Sequence, residues 1–140
     1  MPVHFLTEDV SFKLTAKQKR KAWLKRILED NGLKCGHISV VFVSDKKMLE
    51  MNRSYLNHDY FTDILTFGED NGAGFISGDL IISIDTVKTN AVLWNTLFNN
   101  ELDRVMAHGI LHLAGYDDKD PVTKKKMTEQ EDYYLALRDF

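Results

Sequence analysis

The 140-residue chain contains 44% apolar and 28% charged residues and has a formal net charge of −3. These values are ordinary for a globular domain and exclude a disordered chain or a long coiled coil, while a single cysteine excludes a disulfide scaffold. No apolar run approaches the roughly 20 residues that a membrane-spanning helix requires, and the N-terminal MPVHFLTEDV lacks a signal-peptide pattern. We therefore expect one domain, residues 1–140, that does not associate with membranes and is cytoplasmic.

The positive charges are concentrated in one segment. Residues 13–26, KLTAKQKRKAWLKR, contain seven of the 18 Lys and Arg residues and no acidic residue. The rest of the chain carries all 21 Asp and Glu residues and is therefore strongly acidic. A basic segment on an acidic protein is typical of a contact with a polyanion such as RNA, but also of a solvated helix face balanced by nearby acids. The sequence leaves both alternatives open.

The first half of the chain predicts short strands and two helices. Two extended segments, VHFLTE and VSFKLT, precede a helix over residues 16–30, which Thr15 caps and Gly32 ends. The β-branched run HISVVFVS predicts the clearest strand. Ser44 then caps a helix that reaches Tyr55.

The second half begins with two predicted strands, TDILTF and GDLIISID, which a glycine-rich turn joins. Only helices follow: residues 86–97, residues 101–114 after a break at Asn99 and Asn100, and a last helix that begins at Pro121. This order predicts an α+β fold in which a small mixed β-sheet is packed with about five helices.

The segment VMAHGILHLAGYDDKD, residues 105–120, carries the clearest chemical pattern. His108 and His112 are four residues apart, so on a helix both imidazoles lie on one face, with Cβ atoms roughly 5–6 Å apart. Gly115 suits the left-handed turn that ends a helix, and the reversed chain can bring Asp118 back over that face. The spacing is that of the metzincin zinc motif, with aspartate in place of the third histidine. We predict that His108, His112 and Asp118 bind a metal ion on a zincin-like helix.

The donor set leaves the ion and one ligand open. Asp117 is an alternative ligand to Asp118, or an acid that orients a histidine ligand. Structural zinc sites usually have four protein ligands, so a set of three indicates an open, catalytic position. One Zn²⁺ per chain is the expected cofactor, although two histidines and a carboxylate also suit iron, manganese or nickel.

The residue between the two histidines is unusual. In zinc proteases a glutamate that acts as general base follows the first histidine, whereas here the residue is Gly109. Glycine within a helix costs about 1 kcal/mol relative to alanine, so its presence requires a reason. We interpret Gly109 as room for a bulky substrate group beside the metal, and we expect Gly109→Glu to hinder the substrate without removing the metal.

Three segments of the chain resemble the YbeY-type endoribonucleases. HGILHLAGYDD is similar to the family signature HGxLHLxGYDH, TDILTF to the strand TDVLSF, and SGDLIIS to the strand GDIxIS, all in the family's order. The resemblance implies a zinc-dependent endoribonuclease that matures the 3′ end of small-subunit ribosomal RNA and contributes to ribosome quality control. It also implies small-subunit ribosomal proteins and an assembly GTPase as partners. His108, His112 and Asp118 occupy the positions of the family's three metal ligands.

The chain departs from the family in the loop before TDILTF. The family has an arginine there that serves substrate binding or catalysis, and this chain has Leu56. Loss of a guanidinium removes a group that can contact phosphate in a bidentate way. His58, in the same loop, is the nearest replacement, and together with Asp117 it is a candidate catalytic residue.

Three functions fit these observations. The first is a metal-dependent single-strand endoribonuclease in ribosomal RNA processing, in which the metal site, Asp117 or the RNA's own 2′-hydroxyl activates the attack. The second is a ribosome-assembly factor that binds RNA without cutting it and contains a structural metal. The third is a metalloprotease, which the missing glutamate disfavours because general-base catalysis contributes about 10²–10⁴-fold.

Overall fold

The computed structural model describes residues 3–56 and 62–140. Within these ranges the chain forms four strands and five helices. In chain order they are β1 (Val3–Thr7), α1 (Lys17–Asp30), β2 (Lys34–Val43), α2 (Asp45–Leu56), β3 (Ile64–Asp70), β4 (Phe75–Ser83), α3 (Ile84–Leu93), α4 (Phe98–Leu113) and α5 (Pro121–Ala136). None of the described helices has the length and apolar character needed to cross a bilayer.

The strands form one mixed sheet in the order β1-β2-β4-β3. β1 is parallel to β2 and β2 is parallel to β4, whereas β3 is antiparallel to β4. Parallel neighbours need a crossover connection, and α1 provides it between β1 and β2. The predicted α+β fold, with a mixed sheet and five helices, is confirmed.

Alternate residues of the central strands enter two cores on opposite faces of the sheet, as the pleat of a strand dictates. Val40 and Phe42 of β2 lie in the main core, to which α1 and α4 contribute. Val43 lies in a smaller core with Met48 of α2. Thus α1 and α4 cover one face of the sheet, and α2 covers the other.

Two expectations about the first half have different outcomes. Ser44 does cap α2, since its Oγ accepts a hydrogen bond from the Lys47 N–H at 3.1 Å. The VSFKLT segment is not a strand, however, and Thr15 does not cap α1. The capping position is Ala16, with a φ of 48°, while the carbonyl and hydroxyl oxygens of Thr15 accept hydrogen bonds from the buried Arg20. A tertiary contact replaces the local cap.

The predicted break between the third and fourth helices is misplaced. α3 ends at Leu93 and α4 begins at Phe98, so Asn99 and Asn100 lie in the first turn of α4. The reversal instead contains Asn95, whose φ of 53° is a conformation that asparagine adopts more readily than most residues. The start of the last helix at Pro121 is as predicted, with Asp120 as its cap.

Candidate metal centre

A glycine allows α4 to lie directly on the sheet. A Cβ atom added at Gly109 would lie 2.7 Å from Ile64 Cδ1 and 2.9 Å from Leu80 Cδ2, inside the roughly 3.5–4.0 Å of ordinary carbon contact. Gly109 is buried and faces the main core. Our interpretation of this glycine as room for substrate is therefore wrong, because the space it leaves is filled by β3 and β4.

The end of α4 reverses the chain over the histidines. Gly115 has a φ of 103°, its N–H donates to the His112 carbonyl, and the Tyr116 N–H donates to the Leu111 carbonyl, each at 3.0 Å. This pair of bonds is the Schellman motif, which ends a helix through a left-handed residue. Asp118 follows the reversal and returns to the face that carries the two histidines, as the spacing predicted.

The three predicted ligand atoms meet at one point. His108 Nε2 and His112 Nε2 are 3.0 Å apart, and Asp118 Oδ2 lies 3.3 Å from the first and 3.4 Å from the second. Four ligands held at about 2.0–2.1 Å in a tetrahedron are roughly 3.3 Å from one another. The three atoms therefore have the mutual spacing of three corners of a zinc site, and the residues fit the ion.

Hydrogen bonds on the far side of each ring fix which nitrogen faces the site. His112 Nδ1 lies 3.0 Å from the Tyr116 carbonyl oxygen, and His108 Nδ1 lies 2.6 Å from Glu131 Oε2. Because these acceptors take a proton from Nδ1, both Nε2 lone pairs are left for a metal. This arrangement is common around histidine ligands in metal proteins.

The site carries an excess of acidic groups that perturb its titration. Burial lowers the pKa of His108, but the hydrogen bond and charge of Glu131, with the charges of Asp118 and Asp63, raise that pKa above its usual value. Burial also raises the pKa of the Asp63 carboxyl, which the neighbouring His108 charge lowers only in part. Perturbed groups clustered in a cleft are typical of a functional site.

The ligand group opens into a cleft of about 990 Å³. One wall is β3 with the residues before it, and the other is the end of α4 with the turn that follows. The exposed Lys119 lies at this wall and is a cation available to a negatively charged substrate. His108 and Asp118 also line a second cavity of about 340 Å³ between α4 and α5.

The other two predicted catalytic residues have different positions. Asp117 is exposed, and its Oδ1 accepts a hydrogen bond from the Asp118 N–H at 2.8 Å, so it holds the backbone of the third ligand. His58 lies outside the described residues. Sequence reasoning missed Glu131 and Asp63, since α5 and the start of β3 reach the histidines only through the tertiary fold.

The basic segment is divided between two uses. Arg20 is only 3% exposed and binds the buried Asp103, so this positive charge belongs to the interior. Lys19 and Arg26 are exposed and lie near Asp139 and Asp30 at 3.9 and 3.4 Å. Exposed pairs at such distances are weak and leave these cations accessible to a polyanion.

Known proteins similar to this chain share its fold and carry one name. The family model described as endoribonuclease YbeY matches residues 3–138. A Parabacteroides distasonis protein named endoribonuclease YbeY is 47% identical over 137 residues, covering 98% of this chain and 96% of that protein. A Bacteroides thetaiotaomicron protein of the same name is 44% identical over 138 residues, covering 99% and 100%.

A solved structure agrees with these matches. The solution structure of a Thermotoga maritima protein aligns with a TM-score of 0.66 and 29% identity, covering 95% of this chain and 86% of that one. The match with the family model extends over nearly the whole chain, including α4 and the turn that bears the three ligand positions. The chain therefore belongs to the YbeY endoribonuclease family.

Proposed function

We propose that this protein is a metal-dependent endoribonuclease that cleaves single-stranded RNA during maturation of small-subunit ribosomal RNA. The observation that carries the proposal is the meeting of His108 Nε2, His112 Nε2 and Asp118 Oδ2 within 3.0–3.4 Å of one another at the cleft. The names of the relatives, all endoribonucleases, support the reaction class. Zn²⁺ is the proposed ion, one per chain.

The residues of the site divide the work between holding an ion and holding RNA. A bound divalent ion supplies Lewis-acid stabilisation of the charge that develops on the reacting phosphate. His108, His112 and Asp118 hold that ion at the open side of α4, where the cleft admits a phosphate. Lys119, at the cleft wall, is placed to contact a neighbouring phosphate and to supply part of the charge lost with the arginine that Leu56 replaces.

More distant cations extend the same surface. The exposed lysines of α1, Lys17 and Lys19, are placed to bind phosphates beyond the cleft, a contribution that weakens as salt concentration rises. We propose ribosomal RNA in the cytoplasm as the substrate. Small-subunit ribosomal proteins and an assembly GTPase are the proposed partners, as the resemblance of the sequence to the family implies.

The two alternative functions are not favoured. A metalloprotease needs a general base near the metal, and the position that carries it in zincins is Gly109, which is packed against Ile64 and Leu80. An assembly factor with a purely structural ion would usually enclose the ion with four protein ligands. Here the three ligands lie beside an open cleft, and the relatives are named as nucleases.

The test compares matched histidine variants on two substrates. Wild type, His112→Ala and His37→Ala are incubated with a small-subunit 3′ precursor RNA and with immature small subunits, with and without chelator. His37 is exposed and lies outside the ligand group, so its variant controls for loss of any histidine. Products are mapped at nucleotide resolution, and activity is restored to chelated protein with Zn²⁺, Mn²⁺ or Mg²⁺ in turn to identify the ion.

The expected result is a set of defined cuts by wild type and His37→Ala. These cuts disappear in His112→Ala and after chelation, and Zn²⁺ restores them best. Cuts that persist in His112→Ala would show that the reaction does not use this site. If wild type makes no chelator-sensitive cut on either substrate, the proposed activity is wrong.

A further inference from the structure

Glu131 is an acidic residue that lies almost entirely inside the protein. Its side chain is 8% exposed, on the face of α5 that packs against α4. A carboxylate removed from water costs free energy unless both oxygens are paired. Here they are: Oε1 accepts from Arg104 Nη1 at 2.8 Å, and Oε2 lies 2.6 Å from His108 Nδ1.

The two histidines of the candidate metal centre therefore have different supports. His112 Nδ1 is paired with a neutral acceptor, the backbone carbonyl of Tyr116, whereas His108 Nδ1 is paired with a carboxylate. Both acceptors fix the ring so that Nε2 faces the other ligands. Only the carboxylate also increases the electron density of the ring, which strengthens the bond from Nε2 to a metal.

Arg104 holds the carboxylate in place. It lies one helical turn before His108 on α4, and its two terminal nitrogens engage consecutive residues of α5, Glu131 and Asp132. A guanidinium bound to two carboxylates has little rotational freedom. The position of Glu131 relative to the His108 ring is therefore set from both sides.

We propose that Glu131 is a positioning residue of the metal centre: it holds the His108 imidazole with Nε2 toward the ion and raises its affinity for metal, while Arg104 holds Glu131. This inference rests on the proposed function of His108, His112 and Asp118 as a metal site. It gives α5 a part in the site, although no residue of that helix belongs to the ligand group found among residues 3–56 and 62–140.

A competing explanation is that the Arg104 pairs only attach α5 to α4. Asp132 separates the two explanations, since it shares Arg104 with Glu131 but is 59% exposed and has no recorded bond to His108. Asp132→Asn weakens the attachment of the helix and leaves the pair between Glu131 and His108 intact. Glu131→Gln keeps the shape and an acceptor oxygen but removes the charge, and Glu131→Ala removes both.

The experiment measures metal affinity directly. Zn²⁺ dissociation constants are determined at neutral pH by competition with a chromophoric chelator for wild type, Glu131→Gln, Glu131→Ala, Asp132→Asn and His112→Ala. Thermal unfolding of each metal-free variant first verifies its fold. Visible spectra of the Co²⁺-loaded proteins report the geometry around the ion independently of activity.

We expect Glu131→Ala to weaken Zn²⁺ binding by about 10–100-fold, the usual effect of losing such a support, and Glu131→Gln to weaken it less. The Co²⁺ spectrum should change in both variants, while Asp132→Asn stays within about threefold of wild type and keeps its spectrum. If Glu131→Ala does not fold, the isosteric Gln variant carries the test.

Three results would overturn the inference, and they are distinguishable. Glu131 variants that bind Zn²⁺ like wild type, while His112→Ala does not, remove the positioning role and leave the metal centre standing. Equal losses in the Glu131 and Asp132 variants would mean that helix attachment alone explains the effect. Wild type that binds Zn²⁺ no better than His112→Ala would contradict the metal centre itself.

Discussion

Helix α4 carries buried acids on two of its faces, and the two sets are paired differently. The closed network consists of Arg20, Asp103 and Arg138. Asp103 is completely buried and accepts hydrogen bonds from Arg20 Nε at 2.9 Å, Arg20 Nη2 at 3.2 Å and Arg138 Nη1 at 2.9 Å. One carboxylate thus has two guanidinium partners, and the charges of this network are satisfied within the protein.

The open network lies on the face of α4 that meets β3 and α5. It consists of the carboxyl groups of Asp63, Glu101, Asp118 and Glu131 together with Arg104 and His108. Four acids face one guanidinium and one imidazole here. Burial raises the pKa values of Asp63 and Glu101, which shows that the ionised forms of these two groups are disfavoured in the folded protein.

The difference indicates which network serves stability and which serves a ligand. A carboxyl group whose pKa is raised on folding opposes folding at neutral pH, since the unfolded state ionises it more easily. An added cation offsets this cost, and its binding free energy then stabilises the folded state. The closed network has no such need, so the surplus of negative charge on the open side fits a site for a divalent ion.

The largest effect is expected where a carboxylate would have no partner at all. Gly109→Glu would place an acid on the third face of α4, against Ile64 and Leu80 in the apolar core. Burying one ion costs several kcal/mol, a large part of the roughly 5–15 kcal/mol stability of a domain. We expect this variant to be unfolded by circular dichroism at neutral pH.

Gly109→Ala is the matched control for that variant. Overpacking costs about 1–3 kcal/mol, and the better helix propensity of alanine returns about 1 kcal/mol, so the net loss should be small. The flexible ends of the Ile64 and Leu80 side chains are the atoms that must move. A folded Glu variant of near wild-type stability would mean that α4 does not pack as described.

The next largest effect comes from opening the closed network. Asp103→Ala leaves the guanidinium of Arg20, itself 3% exposed, without its carboxylate partner. Removing one member of a buried ion pair costs about 3–5 kcal/mol, and urea unfolding measures the loss. Asp139→Ala removes an exposed acid 3.9 Å from Lys19 and should change stability by less than about 0.5 kcal/mol.

If the two networks are independent, folded Asp103→Ala protein binds Zn²⁺ like wild type. A loss of metal affinity comparable to that of a ligand variant would show that the closed network also supports the site. A loss of stability no larger than that of Asp139→Ala would contradict the role of Asp103 in the core.

A smaller effect of opposite sign is expected in the open network. Burial, followed by the charge of Asp63, raises the pKa of Glu101 above its usual 4.5. The folded protein therefore holds this proton more tightly, and stability falls as pH rises from 4.5 through the raised pKa. Glu101→Gln should make the metal-free protein more stable at pH ~7 by about 0.5–1 kcal/mol, and the gain should vanish below the usual pKa.

Urea unfolding of chelator-treated wild type and Glu101→Gln at both pH values measures this difference. Saturation with Zn²⁺ should reduce it, because the ion offsets the same negative charge. A Gln variant that is less stable than wild type at neutral pH would mean that Glu101 is compensated in the folded protein, and the contrast between the two networks would be weaker.

The parts of the site that follow from local geometry were predictable from the sequence. Helical periodicity places His108 and His112 on one face, and the left-handed Gly115 turns the chain so that Asp118 returns to them. Each of these relations spans at most a few residues. The α+β fold was predictable for the same reason, since apolar periodicity marks the strands and helices individually.

What the sequence did not reveal depends on contacts between distant segments. Glu131 reaches His108 across 23 residues and a chain reversal, so no spacing rule connects them. Gly109 was visible as an anomaly, but its cause is a sheet that approaches α4 from another part of the chain. Thr15 is a good capping residue that Arg20 engages instead, which shows how a buried charge overrides local preference.

The smallest expected effect concerns the cations outside both networks. Lys17→Glu with Lys19→Glu reverses two exposed charges of α1, and Lys88→Glu on α3 is an exposed control. Arg20 is left unchanged because its charge holds Asp103. If the two lysines contact single-stranded RNA, affinity should fall several-fold at low salt and the salt dependence should lose about 0.7 per phosphate contact. Filter binding across a salt series measures both quantities. Unchanged affinity and slope would mean that these lysines form a solvated helix face, and that RNA contacts are confined to the cleft beside the open network.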